Sequence, residues 1–330
     1  MLRELIIPLT LGLSLFMFGM KIMESALHAW AGPMLTKLLN ASTTTPLKGM
    51  LLSTLVTAVL QSSTAVTVMT IGLVNAGLLT YARTLGIILG GNIGTCLTTE
   101  LIAFNFAEIA LPLLIISALL WAASILVLEY IPSPSSGLQM RLRALQYGSF
   151  AAAGFSLILL AIRWMQSVSP ALQQAGILDW LINRASDSLL WGAAAGAALT
   201  ALVHSSAAVI GMTMTLVGSG AMPVELGIAM VIGSNVGTCV TALIASLGGT
   251  RAGSFVAWSH ILLNVGGAAL FLPFVSVLHT VSGWFTGDLS AQIAHSQTIF
   301  NVVCSVLALP LCYLPVWQGR GSPPPLKHAS

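Results

Sequence analysis

Two short polar stretches interrupt an otherwise apolar chain: Gln61-Ser62-Ser63-Thr64 and, 143 positions later, His204-Ser205-Ser206-Ala207. Each is followed by a second polar interruption, Asn92-Ile93-Gly94-Thr95 after the first and Asn235-Val236-Gly237-Thr238 after the second. Hydroxyls on Ser62, Ser63, Thr64, Ser205 and Ser206 can donate to the oxygens of an oxyanion and accept from a cation. Gln61 offers an amide and His204 an imidazole at the corresponding place, one ring nitrogen donating and the other accepting. Asn92, Thr95, Asn235 and Thr238 supply hard oxygen atoms suited to an alkali cation. No lysine or arginine falls inside either stretch. An anion held there would rest on dipoles, hydroxyls and co-bound cations, which gives a physical reason for cation coupling.

The elements that must position these groups are short. The apolar runs on either side of Gln61, about 47–60 and 65–79, are each below the roughly 20 residues that a spanning helix needs. Two short helices meeting at a polar tip describe a re-entrant hairpin, and hydrocarbon cannot satisfy the backbone groups of such a tip. It is tolerated only against protein or a water-filled cavity. The tip also begins a half-helix, whose free N–H groups and dipole favour an anion. For an isolated Ser-Ser pair the stronger reading is a hydroxyl bonded back to its own helix. Duplication of the tip, with its own downstream Asn-x-Gly-Thr, overturns that.

The duplication is extensive. Adding 143 maps Thr57 to Thr200, Gly77 to Gly220 and Cys96 to Cys239, and about 17 of 42 positions from Thr57 to Thr98 are identical. At a spacing of 142, Gly12, Ser14, Leu15, Met23 and Ser25 recur as Gly154, Ser156, Leu157, Met165 and Ser167. Interrupted helices in matching halves mark the binding site of a secondary transporter. Each copy crosses the bilayer three times if its hairpin dips in and returns, so the second copy is inverted. The expected fold is an all-α polytopic membrane protein of two inverted repeats, each with a re-entrant hairpin and a broken transmembrane helix. The first repeat takes 1–130 (hairpin 47–79), a Pro/Ser linker 131–143, and the second repeat 144–279 (hairpin 189–217). A final span at 280–316 has no partner in the repeat, and 317–330 reads as a disordered tail.

Composition agrees with a membrane setting: 56% of residues are hydrophobic and 6% charged, against about 25% charged in soluble domains. A net charge of +3, scattered along the chain, does not suggest nucleic acid. Cys96, Cys239, Cys304 and Cys312 show no metal-ligand spacing and read as small buried hydrophobes. The apolar N-terminal run is longer than a signal core and recurs at about 148–167, so it reads as a retained span. Lys21 and Glu24 near its end allow a helix-surface pair; snorkelling or pairing at the interface is the plainer reading, a gating contact the sharper one.

The pairs QSST…GGNIGT and HSSA…GSNVGT resemble the type II sodium-dependent phosphate cotransporters, in which a QSSS motif marks each inverted repeat. Arg251-Ala252 leading to His260-Ile-Leu-Leu-Asn264, and His295-Ser-Gln-Thr-Ile-Phe300-Asn301 ending in Leu309-Pro310, look like that family's later motifs. The resemblance covers about 5–315. It implies a sodium-driven importer of inorganic phosphate in a bacterial inner membrane, working by alternating access, with Na+ as coupling ion, no other cofactor, and homodimeric assembly left open. The phosphate set would be Gln61, Ser62, Ser63, Thr64, His204, Ser205 and Ser206. The sodium set would be Gln61, Ser63, Asn92, Thr95, Ser206, Asn235 and Thr238. His204 stands where the family has glutamine, and Ala207 lacks a hydroxyl. Many bacterial relatives continue into a PhoU-type helical domain, which this chain is expected to lack.

Other readings are weaker. An intramembrane hydrolase built on Ser205 gains nothing from the adjacent His204, which points about 100° away on a helix, and it leaves the first tip unexplained. A channel would build its filter from a ring of subunits. The nearest rival is the same architecture carrying sulfate or a carboxylate.

Overall fold

The computed structural model describes residues 7–317 apart from 43, 105, 132–134, 168–170, 172–175, 177 and 178. Every regular element among them is helical. Helix α1 is Ile7–Ser42, α2 Pro46–Leu60, α3 Ser63–Asn75, α4 Tyr81–Ala103 and α5 Ala110–Tyr130. The chain continues with α6 Ser136–Ser167, α7 Asp179–Asp187, α8 Leu190–Val203, α9 Ser206–Gly218, α10 Val224–Gly237 and α11 Cys239–Ser246. It ends with α12 Arg251–Phe271, α13 Val275–Gly283 and α14 Leu289–Ala308. Seven segments are long and apolar enough to cross a membrane, while α2, α3, α8 and α9 are shorter. The side chains are distributed as a lipid environment requires. On α5, Leu111, Ile115, Ile116, Leu119 and Leu126 are exposed, while Ser117 and Ser124 are buried.

The short helices have local causes. Pro46 opens α2, where its missing N–H costs nothing, and Thr45 caps it by accepting from the Lys48 amide. Helices α3 and α9 both end on a glycine with positive φ, Gly77 (72°) and Gly220 (73°). The bonds Leu78 N–H to Leu73 O and Ala221 N–H to Leu216 O close the same Schellman turn in each.

Helices α1 and α6 cross at glycines. A Cβ on Gly12 would lie 2.6 Å from Met165 Cγ, and one on Gly154 would lie 3.0 Å from Met23 Cβ. The two contacts are the same contact with the sequence copies exchanged.

The expected break in α4 is absent: the helix runs unbroken through Gly90–Thr95. Its glycines serve close packing instead. A Cβ on Gly86, Gly90 or Gly94 would fall 2.1, 2.1 and 2.6 Å from the carbonyl oxygens of Pro46, Met50 and Thr54 on α2. This is backbone-on-backbone contact of the small-residue kind. The second copy repeats it between α10 and α8, where a Cβ on Gly233 would fall 1.8 Å from Ala193 O and one on Gly237 2.5 Å from Ala197 O. In the second copy the expected interruption is present but slight, a single residue, Thr238, between α10 and α11. One other expectation shifts. Helix α6 starts at Ser136, inside the stretch expected as linker. Helix α1 continues through Pro33 to Ser42. The tail beyond Trp317 lies outside the described residues.

One defect separates the copies. Thr200 Oγ1 and Ser234 Oγ lie 2.6 Å apart, but Gly91 occupies the place of Ser234 in the first copy. Its partner Thr57 is left with a buried, unpaired Oγ1. A Cβ at Gly91 would meet only Thr57 Oγ1 at 3.9 Å and Ser53 Oγ at 4.0 Å. Gly91→Ser is therefore expected to stabilise the protein by about 1 kcal/mol, through the restored hydrogen bond and the gain in helix propensity. Thermal unfolding in detergent should show a midpoint about 2 °C higher; a lower midpoint would mean that the gap does not admit the hydroxyl.

Candidate functional site

Both tips are built the same way. Gln61 and His204 end α2 and α8 in the left-handed region, with φ 55° and ψ 24° and with φ 57° and ψ 24°. Among the described residues they are the two non-glycine residues with positive φ, a conformation that costs energy and clusters at functional sites. Ser62 and Ser205 follow in extended conformation (φ −146° in both) and cap α3 and α9 by accepting from the amides of Ala65 and Ala208. The caps leave the amides of Ser63 and Thr64, and of Ser206 and Ala207, without acceptors inside their own helices. Ala207 lacks a hydroxyl, yet its backbone N–H stands at the tip where Thr64 offers the same group.

The tips share one cavity. It has a volume of about 40 Å³ and is lined by Gln61, Ser62, Ser63, Thr64, His204, Ser205, Ser206 and Ala207, together with Met20, Glu24, Thr95, Thr98, Thr238 and Thr241. That is room for a small ion, well below the several hundred Å³ of a site for a drug-sized ligand. A wider vestibule of about 670 Å³ adjoins it, sharing Glu24, Ser62, Thr64, His204 and Ser205 and adding Lys21 and His28.

Within the cavity wall, Thr98 Oγ1 donates to Gln61 Oε1 at 2.8 Å, and Gln61 Nε2 donates to Ala58 O. Thr95 donates to Gly91 O at 2.8 Å, Thr238 to Asn235 O at 2.6 Å and Thr241 to Thr238 O at 2.7 Å. Donation uses the proton of each hydroxyl and leaves its lone pairs free to face a cation. Ser205 Oγ lies 3.4 Å from Met20 Sδ, which ties the second tip to α1. His204 is exposed and lines the vestibule.

Asn92 and Asn235 are not among the cavity residues. Asn92 Nδ2 donates to Asn264 Oδ1 at 3.1 Å, and Asn235 Nδ2 to Asn301 Oδ1 at 2.6 Å. The cysteines one turn later also reach these helices: Cys96 Sγ contacts Gln297 O at 3.8 Å and Cys239 Sγ contacts His260 O at 3.6 Å. The final span therefore makes the same kind of contact as α12. Helices α12 and α14 agree at a spacing of 37 in Ala257 and Ala294, Ser259 and Ser296, and Asn264 and Asn301, and the turns that follow them in Leu272-Pro273 and Leu309-Pro310. Each holds one asparagine of α4 or α10. Two carboxylate–histidine contacts pin the same region, His295 Nδ1 to Glu100 at 2.9 Å and His279 Nδ1 to Glu225 at 2.6 Å.

Sequence reasoning missed Thr98, Thr241 and the approach of Glu24. The threonines could have been found, being identical at the repeat spacing. Glu24 could not, because its place at the tip depends on how α1 packs.

A family model described as Na+/Pi-cotransporter matches the chain twice, over residues 15–167 and 157–284. YqeW, an uncharacterized protein of Bacillus subtilis (strain 168), is 33% identical over 310 residues, which is 94% of this chain and 95% of YqeW. YjbB of Escherichia coli (strain K12), a candidate inorganic phosphate export protein, is 28% identical over 256 residues, 77% of this chain and 44% of YjbB. The sodium-dependent phosphate transport protein 2A of Oryctolagus cuniculus is 37% identical over 82 residues, 24% of this chain and 13% of that protein. No solved structure matches the chain.

Proposed function

Starting from the family to which this chain belongs, that of the Na+/Pi-cotransporters, we propose that it is a sodium-coupled phosphate importer whose two tips close on one phosphate. The family is one of transporters and not of enzymes, and the chain is a multi-pass membrane protein. The observation that carries the proposal is the meeting of two tips of matching backbone in a single ion-sized cavity. Amides of Ser63, Thr64, Ser206 and Ala207, with the hydroxyls of Ser62, Ser63, Thr64, Ser205 and Ser206, would hold the phosphate oxygens. Gln61 and His204 would border them. Thr95, Thr98, Thr238 and Thr241 would face sodium, with Gln61, Ser63 and Ser206 between the two ligands. Asn92 and Asn235 would act one layer back, by holding α4 and α10 through Asn264 and Asn301.

The same observations support reading the chain as inverted repeats with re-entrant hairpins. Helices of 15, 13, 14 and 13 residues are too short to span, and the exchanged Gly12–Met165 and Gly154–Met23 contacts fit a two-fold relation. Alternating access would then move α2–α4 and α8–α10 as units around the tips. Sodium is kept low inside cells, so a carrier that moves it together with phosphate runs inward. The likeness to YjbB favours a second reading, export.

Purified protein in proteoliposomes separates the readings. Accumulation of labelled phosphate under an inward sodium gradient, lost when potassium replaces sodium, is the expected result. Equal uptake in both salts contradicts coupling, and sodium-independent release from loaded vesicles would favour export. In the same assay His204→Gln should keep most activity, since Thr241 stands to position 204 as Thr98 stands to Gln61. His204→Ala should lose much of it. The reverse order would show that an imidazole, and not merely a donor–acceptor pair, is required.

A further inference from the structure

For an anion site, the cavity carries a charge of the wrong sign. Glu24 is the one acidic side chain lining it, and no lysine or arginine does so among the described residues. The carboxylate sits on α1 and interacts with the side chain of Ser62, the cap of α3. Lys21 Nζ lies 3.8 Å from it, but Lys21 is 77% exposed against 22% for Glu24, and it borders the vestibule and not the cavity. His28 on α1 and His204 at the second tip are the other titratable groups of the vestibule. The counterpart of Glu24 in the second copy, Gln166, is not in the cavity lining.

A bare carboxylate beside a bound anion is repulsive. Two things could make it compatible: a cation between the two, or a proton shared by them. The position of Glu24 decides between these. It faces the N-terminal end of α3, where the helix dipole and the free amides disfavour a cation. The oxygen atoms suited to sodium belong to Thr95 and Thr98 on α4, Thr241 on α11 and Thr238 between α10 and α11. Resting on the reading of this site as a phosphate site, we propose that Glu24 determines its specificity by accepting a hydrogen bond from the protonated oxygen of phosphate, and so rejects sulfate. Both forms of phosphate present near neutral pH carry at least one P–OH. Sulfate carries none, so against it the carboxylate would set acceptor against acceptor. A site built to hydrogen-bond a substrate hydroxyl rejects the analogue lacking it far more strongly than a site that merely fits its shape. Arsenate, protonated as phosphate is, passes the same filter.

The test is competition in phosphate-loaded uptake assays with wild type, Glu24→Gln and Glu24→Asp. Wild type should transport phosphate, be inhibited by arsenate and ignore sulfate. In Glu24→Gln the sulfate inhibition constant should fall by about tenfold or more, with arsenate inhibition little changed; Glu24→Asp, which keeps the acceptor, should still disfavour sulfate. Where Glu24→Gln is purified but transports too slowly, protection of the detergent-solubilised protein against heat by phosphate, arsenate and sulfate reads the same preference. A glutamine variant that rejects sulfate as wild type does overturns the proposal. So does a variant whose only change is in half-saturating sodium, which would make Glu24 a cation ligand. Loss of selectivity in aspartate and glutamine alike would also overturn it. Wild-type protein that moves no phosphate in any gradient fails the transport reading itself, a result distinct from each of these.

Discussion

Alanine at Ser62 or at Ser205 is expected to lower phosphate transport by about ten- to a hundredfold while the protein still inserts and purifies. Each hydroxyl accepts from a backbone amide, Ala65 at 3.3 Å and Ala208 at 3.2 Å, and each faces the shared cavity. Removing it takes away a ligand contact in a partly dry site, worth about 1–3 kcal/mol, where each 1.4 kcal/mol is tenfold. It also uncaps a half-helix, at about 1 kcal/mol of stability, which a membrane protein with many other contacts withstands. Threonine keeps the oxygen, so Ser62→Thr and Ser205→Thr should restore much of the activity. Normal transport by both alanine variants would show that these hydroxyls serve only their own helices.

Gly233→Ala and Gly90→Ala are expected to abolish folded protein. Their Cβ atoms would sit 1.8 Å from Ala193 O and 2.1 Å from Met50 O, far inside van der Waals contact. Neither neighbour is a side chain that can swing away, so α8 and α10, or α2 and α4, would have to separate along their length. Such overpacking exceeds the usual 1–3 kcal/mol. Gly72→Ala and Gly266→Ala are the matched controls, with nothing within 4 Å of the added carbon. Yield and thermal midpoint by fluorescence-detected size exclusion would compare the four. A Gly233→Ala protein with a wild-type midpoint would contradict the close approach of α8 and α10.

The tips were legible because two independent features coincide there: apolar runs too short to span, and polar residues that recur at a fixed spacing. Nothing about either depends on distant contacts. The glycines of α4 were not legible in the same way. Gly90, Gly91 and Gly94 lower helix propensity, and without a partner in view that reads as a break. In the fold Gly90 and Gly94 face α2, and the helix is held continuous by the packing they permit. Asn92 and Asn235 illustrate the same limit. Their chemistry suits a cation, but they stand outside the cavity lining, where their Nδ2 groups donate to Asn264 and Asn301, 172 and 66 residues away in sequence. The likeness of α12 to α14 at a 37-residue spacing is the one sequence signal that points to those partners. Sequence spacing pairs Glu24 with Lys21, one turn away, but spacing on a single helix says nothing about the tip of another.

If the two tips form one site, each chain binds one phosphate and both tips contribute to its affinity. Equilibrium binding of labelled phosphate to the purified protein in nanodiscs, in sodium, measures this directly for wild type, Ser62→Ala and Ser205→Ala. One phosphate per chain in wild type, with affinity reduced by either substitution alone, is the predicted result. Two phosphates per chain, with one site surviving intact in each single variant, would contradict it.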